Sequence, residues 1–385
     1  YIRVNDSLVQ DGKQIVNEFN RYFVSVGKSI QQEIEPSREN DFENYLQYST
    51  NPRFDFSEVT EVEVLSELQS LSEKKATGPD EIPASFIRMS ASYIAKAVCH
   101  IVNLSLKTGE VPEQWKIARV VPIFKKGDKD LVSNYRPISV IPVLAKIVEK
   151  FVTKQTQKYL NDNGIYCDNQ SGFRPLFSTN TALLNLSEDV LENMNNGDIT
   201  GAVLLDLQKA FDSIDHSTLL AKMGYVGMSA NVVKWFKNYL SSRKQCVVLN
   251  GVKSEIMEVT CGIPQGSILG PLLFAIYVND LHKAVRQSRV QLYADDTCLY
   301  YSAKDAKLVQ NVLNEDLEHI SKWLLSNKLK LNVKKCEFMV IGSKHRLKRL
   351  PHNMTITLNH QTIPRVSSCK YLGMFLDENL DWNLH

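Results

Sequence analysis

Long apolar runs, paired cysteines and an excess of either charge are what this sequence lacks. No stretch of about 18 consecutive apolar residues occurs in its 385 residues, so no membrane-spanning helix is expected. The opening "YIRVNDSLVQ" has none of the apolar core of a signal peptide. The seven cysteines (Cys99, Cys167, Cys246, Cys261, Cys298, Cys336 and Cys369) are odd in number and never form a C-x-x-C pair. That spacing argues against a disulfide framework and a zinc site, and the expected setting is reducing and intracellular. Net charge is only +2, yet it is uneven: residues 1–75 carry 8 basic and 14 acidic side chains, the remainder 37 and 29. The larger part, at +8, is compatible with a polyanionic binding partner without requiring one. Neither an internal repeat nor a low-complexity tract is visible.

What is present is a hydrophobic content of 43%, enough for a soluble globular protein with a large core in two or three subdomains. The chain starts without Met and stops within "LDWNLH", and is read as a piece of a longer protein. Ile15, Phe19, Tyr22, Phe23, Val26 and Ile30 recur at helical spacing, with Asn17, Glu18, Asn20 and Arg21 between them, which predicts an amphipathic helix over residues 14–30. The polar "QQEIEPSRENDFENYLQYSTNPRF" that follows reads as a linker. Thr60 and Glu63 form a capping-box signature for a helix that turns Val62, Leu65, Leu68 and Leu71 inward. "SFIRMSASYIAKAVCHIVNLSLKTGEVP" reads as one long buried helix closed by Gly109 and Pro112. A Val/Ile-rich strand then leads into the basic turn of "WKIARVVPIFKKGD", and helical periods return over 143–160 and 181–194. After the strand "GAVLLDLQKAF" come a mostly helical stretch to about residue 240, the hairpin-like "QCVVLNGVKSEIMEV", the turn "CGIPQGS" and an apolar helix over about 269–281.

Two acids stand out against these apolar surroundings. In "RVQLYADDTCLY", residues 289–300, Asp295 and Asp296 sit side by side between apolar and aromatic runs, which by itself reads as the turn of a hairpin. In "VLLDL" a single acid, Asp206, interrupts a buried strand, and an unpaired buried carboxylate costs several kcal/mol. A divalent cation would offset that cost. If the two segments are neighbouring strands, about 4.8 Å apart, the three carboxylates are able to share hard ions. Oxygen-only ligation with positions left for water and phosphate is Mg²⁺ chemistry, and two such ions suit a phosphoryl transfer.

With these residues in view, the chain resembles the reverse transcriptases of non-LTR retrotransposons, especially the jockey-like type. "VVPIFKKGD", "NYRPISV", "NQSGFR", "LLDLQKAFDSIDH", "GIPQGSILGPLLF", "YADD", "NKLKLNVKKC" and "CKYLG" follow one another as that family's blocks do. The resemblance implies that Asp206, Asp295 and Asp296 are the polymerase carboxylates and hold two Mg²⁺ ions, with Mn²⁺ as the alternative. Phe211 would lie under the sugar of the incoming nucleotide and exclude a 2′-hydroxyl, the group that distinguishes RNA from DNA. Its neighbours Asp212, Asp215 and His216 read as the capped start of a helix, not as catalytic groups. Lys125 and Arg136 would grip the triphosphate, Arg by its fork of donors and Lys as a mobile charge. Lys125 is favoured over Lys126 because adjacent side chains on a strand point to opposite faces. Gly262, Pro264 and Gly266 allow a tight turn, and the family places Gln265 and Gly266 against the nascent base pair and nucleotide. Tyr293 would lie near the primer terminus. Lys335 is the candidate general acid for the leaving pyrophosphate, and Tyr371, Leu372 and Gly373 correspond to a hairpin that grips the primer. The basic run "KHRLKR", residues 344–349, reads as a solvated loop.

The fold implied is α+β, the palm and fingers of a right-hand polymerase with an antiparallel palm sheet backed by helices and the thumb missing. The expected organisation is a connection to an absent upstream endonuclease over 1–56, a helical lead-in over 57–104, the catalytic domain over 105–377 and the start of a thumb connection over 378–385. The expected activity is RNA-directed DNA polymerisation with an RNA template, a DNA primer and dNTPs, without a membrane, assembled with RNA in the cytoplasm and acting in the nucleus. The rival readings are a decayed or domesticated RNA-binding copy of the same fold, and a group II intron-like enzyme with maturase function. Without a thumb, processivity should be low. Primer extension compared with a longer form of the protein should give shorter products from this chain, and equal lengths would refute the expectation.

Overall fold

The computed structural model describes residues 1–4, 7–34, 41–50, 53–74, 76–174, 177–350 and 354–382. Parts of the expected 1–56 connection and 378–385 tail lie outside these residues. In chain order the elements are β1 (Ile2–Val4), β2 (Ser7–Val9), α1 (Gly12–Gln32), α2 (Glu61–Gln69), α3 (Ala84–Met89), α4 (Ala91–Thr108), β3 (Ile117–Phe124), β4 (Tyr135–Val140), α5 (Val143–Asp162), α6 (Thr179–Asn195), β5 (Ile199–Leu205), α7 (His216–Tyr225), α8 (Ala230–Leu240), β6 (Arg243–Leu249), β7 (Val252–Lys253), β8 (Met257–Val259), α9 (Leu269–Val278), β9 (Arg289–Tyr293), β10 (Asp296–Ala303), α10 (Ala306–Ser326), β11 (Glu337–Ile341), β12 (Thr357–Leu358), β13 (Gln361–Thr362), β14 (Ser368–Tyr371) and β15 (Met374–Asp377). This is a mixed architecture of helices and several sheets, divided into two compact units.

The first unit comprises the described residues of Tyr1–Glu33, Gln47–Ile165 and Phe211–Ile276. Its sheet has the order β4-β3-β6-β7, with β8 also on β6; β3 and β6 run parallel and the other pairs antiparallel. Asp11 caps α1 by accepting from the Gln14 amide, and Val16, Phe19 and Phe23 pack with Val120 and Val247. Asn20, expected on the polar side of that helix, is instead fully buried. Its amide donates to Ser254 Oγ at 3.1 Å and to the Glu255 carbonyl at 2.8 Å, and Gln245 returns a bond to its oxygen at 3.0 Å. An amide satisfied on both atoms can occupy a core position that spacing alone would assign to an apolar residue.

The capping box of α2 is present, with Thr60 and Glu63 bonded reciprocally. The inward face differs by two residues from the expected one: Val64 is buried and Val62 is 76% exposed. The long helix expected after residue 84 is two helices, α3 and α4, broken at Ser90, whose hydroxyl bonds back to the Phe86 carbonyl at 2.8 Å. Nor is it buried all round, since Phe86, Met89, Tyr93, Ile101 and Leu104 are exposed. Gly109 ends α4 in the left-handed conformation, φ 71°, where a Cβ would be strained.

The second unit comprises the described residues of Ile34–Leu46, Tyr166–Ala210 and Tyr277–His385. It is built on a four-stranded, wholly antiparallel sheet with the order β11-β5-β10-β9. Central β5 is buried along nearly its whole length, which explains its continuous apolar run. Gly201 leaves room for Val309 and Leu313 of α10 to meet one side of the sheet. Ala202, Cys298, Tyr300, Met339 and Ile341 pack with Leu183, Leu186 and Val190 of α6 and with the β14–β15 hairpin. The 344–349 run forms a one-turn helix, Lys344–Leu347, in which Lys344 pairs with Asp381 at 2.9 Å.

Candidate active site

In the second unit, strand register decides where the acids fall. Leu205 at the end of β5 is opposite Thr297 of β10, and Asp206 and Asp296 are the chain neighbours of that last pair. Directly opposed residues in an antiparallel pair have Cα atoms roughly 4.5–5.5 Å apart. Asp296 in turn pairs with Tyr293 across a two-residue turn of Ala294 and Asp295. Asp295 and Asp296 are exposed, and the Asp206 side chain is 39% exposed.

The chain beyond α10 runs back along Asp206. Gln208 donates to the Lys330 carbonyl at 2.8 Å, and Asn332 donates to the Asp206 carbonyl at 2.8 Å. This brings Lys335 Nζ to 3.6 Å from Asp206 Oδ1. Half-exposed, the pair adds little to stability. Its interest is the placement of a cation beside a carboxylate at a sheet end. The donors gathered here are hard oxygens at exposed strand ends, which fits a divalent ion such as Mg²⁺. Among the described residues no group of three or more His, Cys, Asp or Glu side chains is placed to hold a metal ion. What the register fixes is the adjacency of the backbone positions, from which side-chain rotation sets the oxygens.

The acidic turn rests on residues outside the expected site set. Ala294 has φ 56°, the positive value that a two-residue hairpin of the II′ kind needs at its first position. Ser171 donates to the Leu292 carbonyl at 2.8 Å, and Leu292 donates to the Asn169 carbonyl at 2.8 Å, so the "NQSGFR" segment covers the β9 edge. A Cβ on Gly172 would lie 2.1 Å from the Ala294 nitrogen. The primer block shows a similar turn: Leu372 (φ 48°) and Gly373 (φ 91°) link β14 to β15. Tyr371, expected with them on the primer, has its ring in the core, 3% exposed, where burial pushes its phenol well above the usual range. The accessible part of this block is therefore the 372–373 turn, not the Tyr371 ring.

In the first unit, Ile123 is opposite Arg136 and the Lys125 amide bonds the Asn134 carbonyl at 2.9 Å. Residues alternate faces along a strand, so Lys125 continues on the Arg136 side and Lys126 falls on the other. All three are exposed. Phe211 stacks on Phe274 with centroids 4.8 Å apart and planes 14° from parallel. Its carbonyl accepts from Ile263 at 2.9 Å, tying it to the 262–268 loop. In that loop Gln265 Nε2 donates to Asp212 Oδ1 at 2.7 Å, while the Gln265 carbonyl accepts from Ser139 at 2.7 Å. Gly266, φ 102°, lies where a Cβ would be 2.9 Å from the Ser139 oxygen. Asp215 caps α7 through the Thr218 amide at 2.9 Å, as expected from sequence. Asp212 supports Gln265, and His216 hydrogen-bonds the Gly262 carbonyl at 2.7 Å; burial lowers the pKa of this imidazole.

Residues 123–376 match the family described as reverse transcriptase (RNA-dependent DNA polymerase). The chain belongs to the reverse transcriptase family. The RNA-directed DNA polymerase from mobile element jockey of Drosophila melanogaster is 29% identical over 351 residues, 89% of this chain and 38% of that protein. The probable RNA-directed DNA polymerase from transposon BS of the same organism is 30% identical over 332 residues, 84% of this chain and 36% of that protein. For its transposon X-element counterpart the identity is 26% over 328 residues, 84% of this chain and 36% of that protein. These relatives agree with the jockey-like type implied by the eight motif blocks. The reverse transcriptase chain spans little more than a third of the length of these relatives.

Proposed function

We propose that this chain carries the catalytic centre of a retrotransposon RNA-directed DNA polymerase, which extends a DNA 3′-hydroxyl on an RNA template. The observation that supports this reading is the β5–β10 register, whose last pair, Leu205 opposite Thr297, has Asp206 and Asp296 as its chain neighbours on the two strands. In this reading the second unit is the palm and the first supplies the fingers. The primer 3′-oxygen forms a bond to the α-phosphorus of a dNTP, the bond to the bridging α–β oxygen breaks, and pyrophosphate leaves. Asp206, Asp295 and Asp296 would hold Mg²⁺, which supplies charge stabilisation for the attacking and leaving oxygens. Lys125 and Arg136 neutralise the triphosphate, Gln265 and Gly266 flank the nascent pair, and Lys335 delivers a proton to pyrophosphate. Tyr293 and the 372–373 turn lie along the primer. Catalysis of this kind is mostly positioning and electrostatics.

Phe211 provides the test of substrate class. Its ring is fixed by stacking on Phe274 and through its carbonyl, so it is a rigid wall, not a mobile cover. Phe211→Val should lower discrimination against rUTP relative to dTTP by about 10- to 100-fold, the range in which an apolar pocket rejects an added hydroxyl. The measurement is the ratio of kcat/KM for the two nucleotides on poly(rA) primed with oligo(dT). An unchanged ratio would remove Phe211 from the sugar site.

A further inference from the structure

A carboxylate that the mechanism does not use lies in the core of the first unit. Glu149 is on α5, 1% exposed, flanked in sequence by Ile147, Val148, Phe151 and Val152, all of them buried. An acid there is costly unless both oxygens find donors. Tyr239 of α8 donates its hydroxyl to Oε1 at 2.6 Å. The Ile268 amide donates to Oε2 at 2.7 Å. Arg243, 3% exposed on β6, donates Nη1 to the Tyr239 carbonyl at 3.1 Å and lies 4.7 Å over the Tyr239 ring. Its positive charge opposes the rise in the Glu149 pKa that burial causes.

The amide held by Glu149 lies at the junction between the 262–268 loop and α9. Amides at a helix start have no intrahelical acceptor, and the negative charge matches the helix dipole there. Gly270, the second residue of α9, is served locally by Ser267 Oγ at 2.8 Å; Ile268 depends on α5, far away in the chain. Glu149 fixes the exit of the loop, while its earlier part is held by Ser139 on the Gln265 carbonyl, Ile263 on the Phe211 carbonyl, Asp212 on the Gln265 side chain and His216 on the Gly262 carbonyl. We infer that Glu149 is a positioning residue, whose buried carboxylate anchors the Gln265 and Gly266 backbone and thereby sets the affinity for the incoming deoxynucleotide. This inference rests on the reading of that loop as a nucleotide contact.

The chemistry of the anchor discriminates among substitutions. Glu149→Asp keeps the charge near Arg243 but withdraws it by one methylene, out of reach of Ile268. Glu149→Ala leaves the Ile268 amide without its acceptor. Glu149→Gln keeps one carbonyl oxygen for Ile268 and turns its NH₂ toward the Tyr239 oxygen, so the anchor survives without its charge. KM and kcat for dTTP on poly(rA)·oligo(dT), together with Tm, should be measured on the full chain for these three variants and Gln265→Ala. The Asp and Ala variants should raise KM about tenfold, with kcat within about threefold, as for the loss of one buried hydrogen-bonded anchor. The Gln variant should restore KM to within about threefold of the parent value. If Ala does not fold, Asp and Gln still decide.

A raised KM in Gln265→Ala with parental KM in Glu149→Asp would overturn the anchor and leave the loop reading intact. A parental KM in Gln265→Ala, or no incorporation by the parent chain, would overturn both. A fall of kcat and Tm along with KM in Glu149→Asp, or Glu149→Gln as impaired as Ala, would reduce Glu149 to a fold residue and overturn the inference.

Discussion

Gly172→Ala should cut dTTP incorporation by about 10²-fold while leaving the far-ultraviolet circular dichroism unchanged. The added methyl carbon would sit 2.1 Å from the Ala294 nitrogen and 2.9 Å from the Tyr293 carbonyl carbon. Neither atom belongs to a side chain that can rotate away. The backbone of the acidic turn must therefore move by about an ångström, a displacement that costs about 10²-fold when it misaligns reacting groups. The site of the methyl also excludes the commoner explanation for a glycine, because Gly172 is not among the residues with positive φ. Its amide bonds Gln170 Oε1 at 2.8 Å, and the fully buried Gln170 forms a bridge to Leu292, so the supporting segment has little freedom to retreat. Wild-type turnover in the variant would mean that the 171–172 segment does not support the acidic turn.

Asp206→Asn should be more damaging, with a loss of roughly 10³-fold or more in kcat, about 4 kcal/mol of transition-state stabilisation. The substitution keeps size and the backbone bond from Asn332, so the sheet end should survive; what is lost is one negative oxygen. A neutral amide is a poor ligand for a hard divalent ion and also releases Lys335 from its 3.6 Å pairing. Two effects thus act in the same direction, weaker ion binding and a less constrained proton donor. Single-turnover incorporation at saturating Mg²⁺ separates them: a weakened ion site is partly rescued by more ion, and a misplaced Lys335 is not.

The carboxylates are legible in the sequence because each breaks a local rule. Asp206 interrupts an apolar strand, and Asp295 and Asp296 crowd two charges into one short hairpin. The alternation that favours Lys125 over Lys126 is likewise local, although the paired strand itself ends at Phe124. Gly172, Asp212 and Glu149 cannot be weighed in that way. The need for Gly172 is an atom from a distant block, the function of Asp212 is a bond to Gln265, and Glu149 looks like the polar residue of an amphipathic helix until its neighbours Tyr239 of α8, Arg243 of β6 and Ile268 of the 262–268 loop are seen. Val62 and Val64 make the same point for packing. Both fit a helical stripe, and only contact with the rest of the unit decides which is buried. Asn20 and Tyr371 are buried for different reasons, since hydrogen bonding draws a polar residue inward and core packing takes up an aromatic ring.

The most direct measurement is dTTP incorporation on poly(rA) primed with oligo(dT) as Mg²⁺ is titrated, for the parent chain and Asp295→Ala side by side. The account predicts incorporation that requires the ion in the parent and background at every Mg²⁺ concentration in the variant. Ion-dependent incorporation by Asp295→Ala at the parental rate would contradict it.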